Sequence, residues 1–158
     1  MNVAIVGSRG YAQPQLVEWW VRSLASRDPD ARVLSGGARG VDAAAERAAA
    51  ACGLAWQSYR PHELAEHEWT VSIIVDGVKV AEVGRFRSFV EAAKDRNVWL
   101  VEFSDKVVAF WDGESRGTAH AMSVARGLRS LYVYGPDGRL DASLGLELAS
   151  ATGVGAHA

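Results

Sequence analysis

Arginines 9, 39 and 116 each sit in a glycine-rich stretch, "GSRGY", "SGGARGVD" and "WDGESRGT", and each stretch follows an apolar run. A guanidinium fork beside bare backbone N–H groups suits a phosphate or carboxylate, because the fork offers paired donors and glycine permits close approach. The candidate binding residues are therefore Gly7, Ser8, Arg9 and Tyr11 in the first stretch. The second adds Ser35, Gly36, Gly37, Ala38, Arg39, Gly40 and Asp42, and the third adds Trp111, Asp112, Gly113, Ser115, Arg116, Gly117 and Thr118. Tyr11 and Trp111 flank these loops and are the aromatic side chains best placed to stack on a base. Taken singly, each loop reads as an ordinary turn with a solvated arginine. Three such loops after three strands read as one anion site. Neither G-x-G-x-x-G nor G-x-x-x-x-G-K-[ST] occurs, so the specific fingerprints of dinucleotide and P-loop sites are missing.

The elements that must position these loops alternate between strand and helix. Val3–Val6 is a short continuous apolar run, as in a parallel strand buried on both faces. Pro14 suits a helix start, and Leu16, Val17, Trp20, Val21 and Leu24 follow at helical spacing up to Asp28-Pro29-Asp30. Residues 32 to 35 predict a second strand and Val41–Ala51 an alanine-rich helix stopped by Gly53. Leu54–Tyr59 predicts a third strand, with Pro61 just beyond its end. Alternating apolar residues on either side of Asp76-Gly77 predict a hairpin within 70–83, which can lie as an excursion outside the main sheet. Phe86–Phe103 returns to helical spacing, interrupted or capped at Asn97. Lys106–Phe110 and Leu131–Tyr134 are the last strands, with a helix from Thr118 between them and another over Leu140–Ala149. In an open parallel sheet, loops leaving the carboxyl ends of strands gather along one edge, so the three glycine stretches are expected to meet there.

The chain's 158 residues suit one domain, here 1–150, followed by a flexible tail over 151–158. The expected fold class is α/β, a single Rossmann-like three-layer domain with a mainly parallel sheet. A hydrophobic fraction of 49% and a charged fraction of 23% belong to a folded globular chain. A net charge of -2 supplies no general field for nucleic acid or anionic lipid. Cys52 is the only cysteine and reads as a small apolar residue of a reducing compartment. With no secretory pattern and no long apolar run, a soluble cytoplasmic protein is expected, with no membrane partner. In "HELAEHE", His62 and His67 stand five residues apart, a spacing that faces them away from each other on a helix, so no metal site is assigned.

"VAIVGSRGY", "VLSGGARGVDAAAERAA", the pair Arg96-Asn97 and "VVAFWDGESRGTAHAM" together resemble the YspA/YpsA-related branch of the SLOG superfamily. Its relatives are the LOG-type phosphoribohydrolases, the molybdenum cofactor carrier proteins and the Rossmann-like domain of DNA-processing protein A. The resemblance covers residues 3 to 134, apart from the hairpin segment. It implies a Rossmann-like sheet whose glycine loops bind a nucleotide or phosphorylated nucleotide-derived ligand, often in a homo-oligomer, dimer or larger. It also adds Arg96 and Asn97 as ligand candidates. On local grounds alone, Asn97 caps a helix end and Arg96 lies on the surface.

The LOG hydrolases carry P-G-G-x-G-T-x-x-E, whose glutamate takes part in cleaving the N-glycosidic bond. Gly117 and Thr118 match the G-T, but Ala121 stands where that glutamate would be. A methyl group transfers no proton. Asp42, Glu46, Asp112 and Glu114 are the carboxylates available near the loops. Asp42 has three readings: a helix cap, a holder of a ribose hydroxyl, or an acid–base group. His120 reads as a hydrogen-bonded helix residue. The expectation is a binder of a nucleotide, ribose-phosphate derivative or related phosphorylated ligand, acting as sensor or carrier. An N-glycoside hydrolase and a single-stranded DNA module are the alternatives; nucleic acid is not favoured, because no basic track is evident.

Overall fold

The alternation of β1 (Asn2–Gly7) sets the whole arrangement. Val3 and Ile5 enter one hydrophobic cluster and Ala4 and Val6 enter a second on the opposite side. A strand buried on both faces needs helices on both faces. The structure, a computed structural model, describes residues 1–147. In it α1 (Pro14–Arg27) and α2 (Val41–Ala51) cover the first cluster. Leu100 and Val101 of α3 (Phe89–Glu102) and Met122 of α4 (Arg116–Ala125) cover the second. The result is a three-layer α/β fold.

The sheet has seven strands in the order β5-β4-β3-β2-β1-β6-β7. Here β2 is Arg32–Ser35, β3 Ala55–Ala65, β4 Glu68–Val75, β5 Val78–Phe86, β6 Lys106–Phe110 and β7 Ser130–Tyr134. β3, β2, β1, β6 and β7 are mutually parallel, while β4 and β5 are antiparallel additions at one edge. β1 therefore lies between β2 on one side and β6 on the other. This is the place where strand order reverses and where α/β sheets open a crevice at the carboxyl ends of strands.

Several expectations are corrected. The hairpin is not an excursion outside the sheet: β4 pairs with β3 from Gln57↔Val75 to Ala65↔Glu68 and so extends the main sheet. β3 consequently continues through Pro61, which pairs with Val71. Because β2 ends at Ser35 opposite Ser58, β3 has an open side beyond that point, the kind of position where proline is tolerated in a strand. "HELAEHE" thus belongs to strand and turn rather than helix, with His67 at φ 57°. The expected helix over Leu140–Ala149 is absent from its described part: Leu140 and Leu146 bridge Tyr134 and Leu131. Asp141 Oδ1 accepts from Ser143 N at 3.0 Å, and that local turn outcompetes a helical one. Residues 148–158, and with them the expected flexible tail, lie outside the described residues. Asn97 neither interrupts nor caps α3; it sits inside that helix, whose own cap is Ser88, accepting from Glu91 N at 3.2 Å.

Candidate functional site

The loops after β1, β2 and β6 meet at one edge of the sheet, closed from above by α3 and α4, around a cavity of about 360 Å³. Gly7 can end β1 here only because it lacks a side chain, since a Cβ would fall 2.5 Å from Val41 at the start of α2. Of the sequence-derived candidates, Gly7, Arg9, Gly36, Ala38, Asp42, Arg96, Asn97, Asp112, Ser115, Gly117 and Thr118 line the cavity. The remainder, including Gly40 at the start of α2, do not line it.

Ser8 is buried and braces two loops: its N–H donates to Phe110 O at 3.1 Å, and its hydroxyl accepts from Asp112 N at 3.1 Å. Tyr11 belongs to the core, edge-on to Phe110 at 5.8 Å, with its hydroxyl donating to Gly135 O at 2.8 Å. Trp111 donates from Nε1 to Ser115 O at 3.1 Å and packs on the second cluster. Arg39, Gly113 and Arg116 are exposed outside the cavity lining. Of the three loop arginines, only Arg9 therefore reaches the cavity. The second cavity arginine is Arg96, from the middle of α3, and the lining aromatic is Phe89, with the Arg9 guanidinium 6.0 Å from its ring centroid. Val6, Gly10, Ala93, Leu100 and Ala121 complete the wall.

Arg96 is buried and holds the loop after β2 from behind. Its Nη1 donates to Gly36 O and to Tyr59 O at 3.3 Å, and its Nε donates to Asn97 Oδ1 at 2.9 Å. Burial lowers its pKa, while Asp42 raises it. Asn97 Nδ2 faces Gly117 O at 3.3 Å and His120 Nδ1 at 3.1 Å, tying α3 to the first turn of α4. Burial lowers the His120 pKa, assisted by Lys94 and Arg96, so the ring is neutral at pH 7. A neutral Nδ1 accepts from Asn97 and leaves the ring proton on Nε2.

The loop after β2 rests on a second network. Ser35 donates its hydroxyl to Glu46 Oε2 and accepts from Gly37 N at 3.2 Å, while Glu46 Oε1 receives Arg60 Nη2 at 2.8 Å. Glu46 is thereby committed to loop support. Gly37 has φ +72°, and a Cβ there would fall 2.1 Å from Arg60 Cγ. Gly37→Val is expected to cost about 2–4 kcal/mol through backbone strain and displacement of Arg60, and to weaken ligand binding more than Arg87→Ala does. Arg87 is exposed, and its replacement should stay within about 0.5 kcal/mol. Denaturant unfolding of both variants, with binding measured on folded samples, checks this; equal stabilities would sink it.

Two carboxylates line the cavity, and their environments push them apart. Asp112 Oδ1 accepts from Glu114 N at 2.9 Å and Ser115 N at 2.8 Å, and these bonds hold its pKa below the usual carboxylate value. Asp42 is raised to about 6: burial is the largest cause and Glu46 adds to it, while Arg96 and the N–H groups of Ala38 and Gly36 oppose. A folded pKa above the unfolded value of 3.8 means that the native state holds this proton more tightly. Ionised Asp42 therefore costs stability above about pH 6, and the cost fades below about pH 4. Asp42→Asn is expected to lack this pH-dependent loss, so that its stability relative to the wild type improves from pH 4 to pH 7.5. Unfolding curves at the two pH values test it, and a difference independent of pH would count against it.

The fold and this edge cavity define a Rossmann-like α/β protein with a crevice at the switch point of its sheet. No family model matches the chain, and no curated protein matches it. Among solved structures, it is similar to TM1055, a structural genomics target, with TM-score 0.58 and 20% identity over 82% of this chain and 71% of that one. It is also similar to DNA processing protein A from Helicobacter pylori, with TM-score 0.55 and 20% identity over 84% of this chain and 64% of that protein. Both likenesses are of fold. They fit the expected Rossmann-like α/β fold. Among the described residues, no helix is long and apolar enough to cross a membrane, and no three of His, Cys, Asp and Glu gather as a metal site.

Proposed function

We propose that this protein binds a nucleotide, ribose-phosphate derivative or related phosphorylated ligand in the edge cavity, as a sensor or carrier. The observation that carries this reading is the convergence of three glycine-bearing loops and the first turn of α4 on one cavity that also holds Arg9. Helix-start N–H groups, a bare loop backbone and a guanidinium are together the donor set an anion requires. At about 360 Å³ the cavity falls in the range of small-molecule sites. Phe89, beside Arg9, is the aromatic side chain of the same wall.

A hydrolase needs a group that protonates the leaving base or supports positive charge on the ribose. Ala121 is buried on the cavity wall, where the LOG motif has its glutamate, and Asp112 is held ionised. Nucleoside monophosphates incubated with the protein are therefore expected to stay intact when followed by chromatography. Rapid release of free base would overturn the binding reading. The fold relative from Helicobacter pylori is described as binding single-stranded DNA. Salt-dependent binding of an oligonucleotide with no competition from mononucleotides would move the assignment to nucleic acid.

A further inference from the structure

Among the described residues, Asp42 Oδ1 is the buried side-chain oxygen or nitrogen that has no hydrogen-bond partner. The residue is 5% exposed, and it lines the cavity. Its other oxygen is occupied by Ala38 N–H at 3.1 Å, which fixes the carboxylate against the loop after β2. Buried polar atoms in folded proteins are paired almost without exception, so an orphan on a cavity wall points to a partner that arrives with a ligand. A carboxylate oxygen accepts and does not donate, so that partner brings an O–H or N–H.

We infer that Asp42 Oδ1 accepts a hydrogen bond from a sugar hydroxyl of the bound ligand, so that the site selects ribose over deoxyribose. The inference rests on the nucleotide reading of the cavity. Two further features favour a sugar hydroxyl over a base edge. The carboxylate is pinned through its other oxygen by Ala38 N–H, and a hydroxyl, which rotates its proton toward a fixed acceptor, suits such a group better than a planar ring. The carboxylate also belongs to the same loop edge as Gly36 and Ala38, where the anion donors converge, and the ribose is the part of a nucleotide joined directly to phosphate. The cavity thus has opposite demands at two points: an acceptor at Arg9 and the α4 start, and a donor at Asp42.

The test compares equilibrium binding of four ribonucleoside monophosphates with their 2′-deoxy and 3′-deoxy counterparts, and of ribose 5-phosphate with 2-deoxyribose 5-phosphate. Unphosphorylated nucleosides serve as the reference. In the wild type, removing one of the two ring hydroxyls should weaken binding about tenfold or more, whichever base is present. In Asp42→Asn, which keeps the shape but presents an amide, the ratio between ribo and deoxy forms should fall to about one. A ratio taken within one folded sample is blind to any general loss of stability. Equal wild-type affinity for ribo and deoxy forms would overturn the Asp42 assignment while the phosphate site stands. A ratio that persists in Asp42→Asn, or one that follows the base rather than the sugar, would also overturn it. If phosphorylated and unphosphorylated compounds bind alike, the nucleotide reading fails and this inference fails with it.

Discussion

A nucleoside monophosphate is expected to bind about 10- to 100-fold more tightly than the same nucleoside. One well-made hydrogen bond to a charged group contributes roughly 1.5–3 kcal/mol, and 1.4 kcal/mol is a factor of ten in affinity. In the proposed site the phosphate would meet Arg9, and the α4 start would contribute through Ser115, Gly117 and Thr118 on the wall. Ser115 Oγ accepts from Thr118 N and Asp112 Oδ1 from Ser115 N, so the N–H groups of Arg116 and Gly117 are the ones left to a ligand. Any contact with Phe89 would be common to both compounds, so the difference isolates the phosphate. Titration calorimetry of matched pairs at fixed salt measures it, and Arg9→Ala should reduce the gap without lowering nucleoside affinity. Equal affinities across matched pairs would remove the anion site.

Arg96→Met is expected to destabilise the folded protein by about 3–5 kcal/mol at pH 7.5, because it leaves three acceptors unpaired and removes a positive charge that favours ionised Asp42. The guanidinium joins three separate acceptors, on Gly36, Tyr59 and Asn97, and stands against Asp42. Methionine fills a similar volume but leaves these acceptors unpaired and Asp42 without its positive neighbour. The loss should shrink in acid, where Asp42 takes up a proton, and Asp42→Asn should recover part of it in the double variant. Arg96→Lys should rescue poorly, since an ammonium on a flexible stem cannot reproduce the planar fork. Denaturant unfolding of the four proteins across pH 4–8 reads all of this. A loss below about 1 kcal/mol for Arg96→Met would show that the loop is held by other means.

The alternation of strands and helices was legible because β1, β2 and β6 are short apolar runs that end abruptly at glycine, serine or aspartate. The meeting of the three loops follows from their leaving the carboxyl ends of the adjacent parallel strands β2, β1 and β6. What local pattern could not reveal is what happens where two distant segments face each other. Pro61 looks like a strand end until β4 is seen pairing beyond it. Arg39 and Arg116 are exposed and outside the cavity lining, whereas Arg96 is reached only by folding α3 back over the sheet. No periodicity distinguishes a buried arginine from a surface one on a helix; the resemblance of Arg96-Asn97 to a motif was the one available signal. Phe89 reads in the sequence only as an apolar position of the helix over 86–103; the S-x-x-E spacing from Ser88 to Glu91 is the cue that sets it at the helix start. Tyr11 and Trp111 were drawn toward the ligand by sequence proximity, yet their polar tips are satisfied by Gly135 and Ser115.

The bond from Ser8 N to Phe110 O, and that from Asp112 N back to Ser8 Oγ, join parts of the chain about a hundred residues apart. The cavity wall likewise draws on segments near residues 7, 36, 96 and 117. An unfolded chain scatters these segments and retains no fragment able to grip the ligand. Binding is consequently linked to the native state alone, and occupancy reappears as resistance to unfolding, by about 2.7 kcal/mol when free ligand stands a hundredfold above its dissociation constant. A thermal-shift screen of phosphorylated metabolites can therefore rank ligands without a catalytic assay, and it asks nothing in advance about which base the cavity prefers.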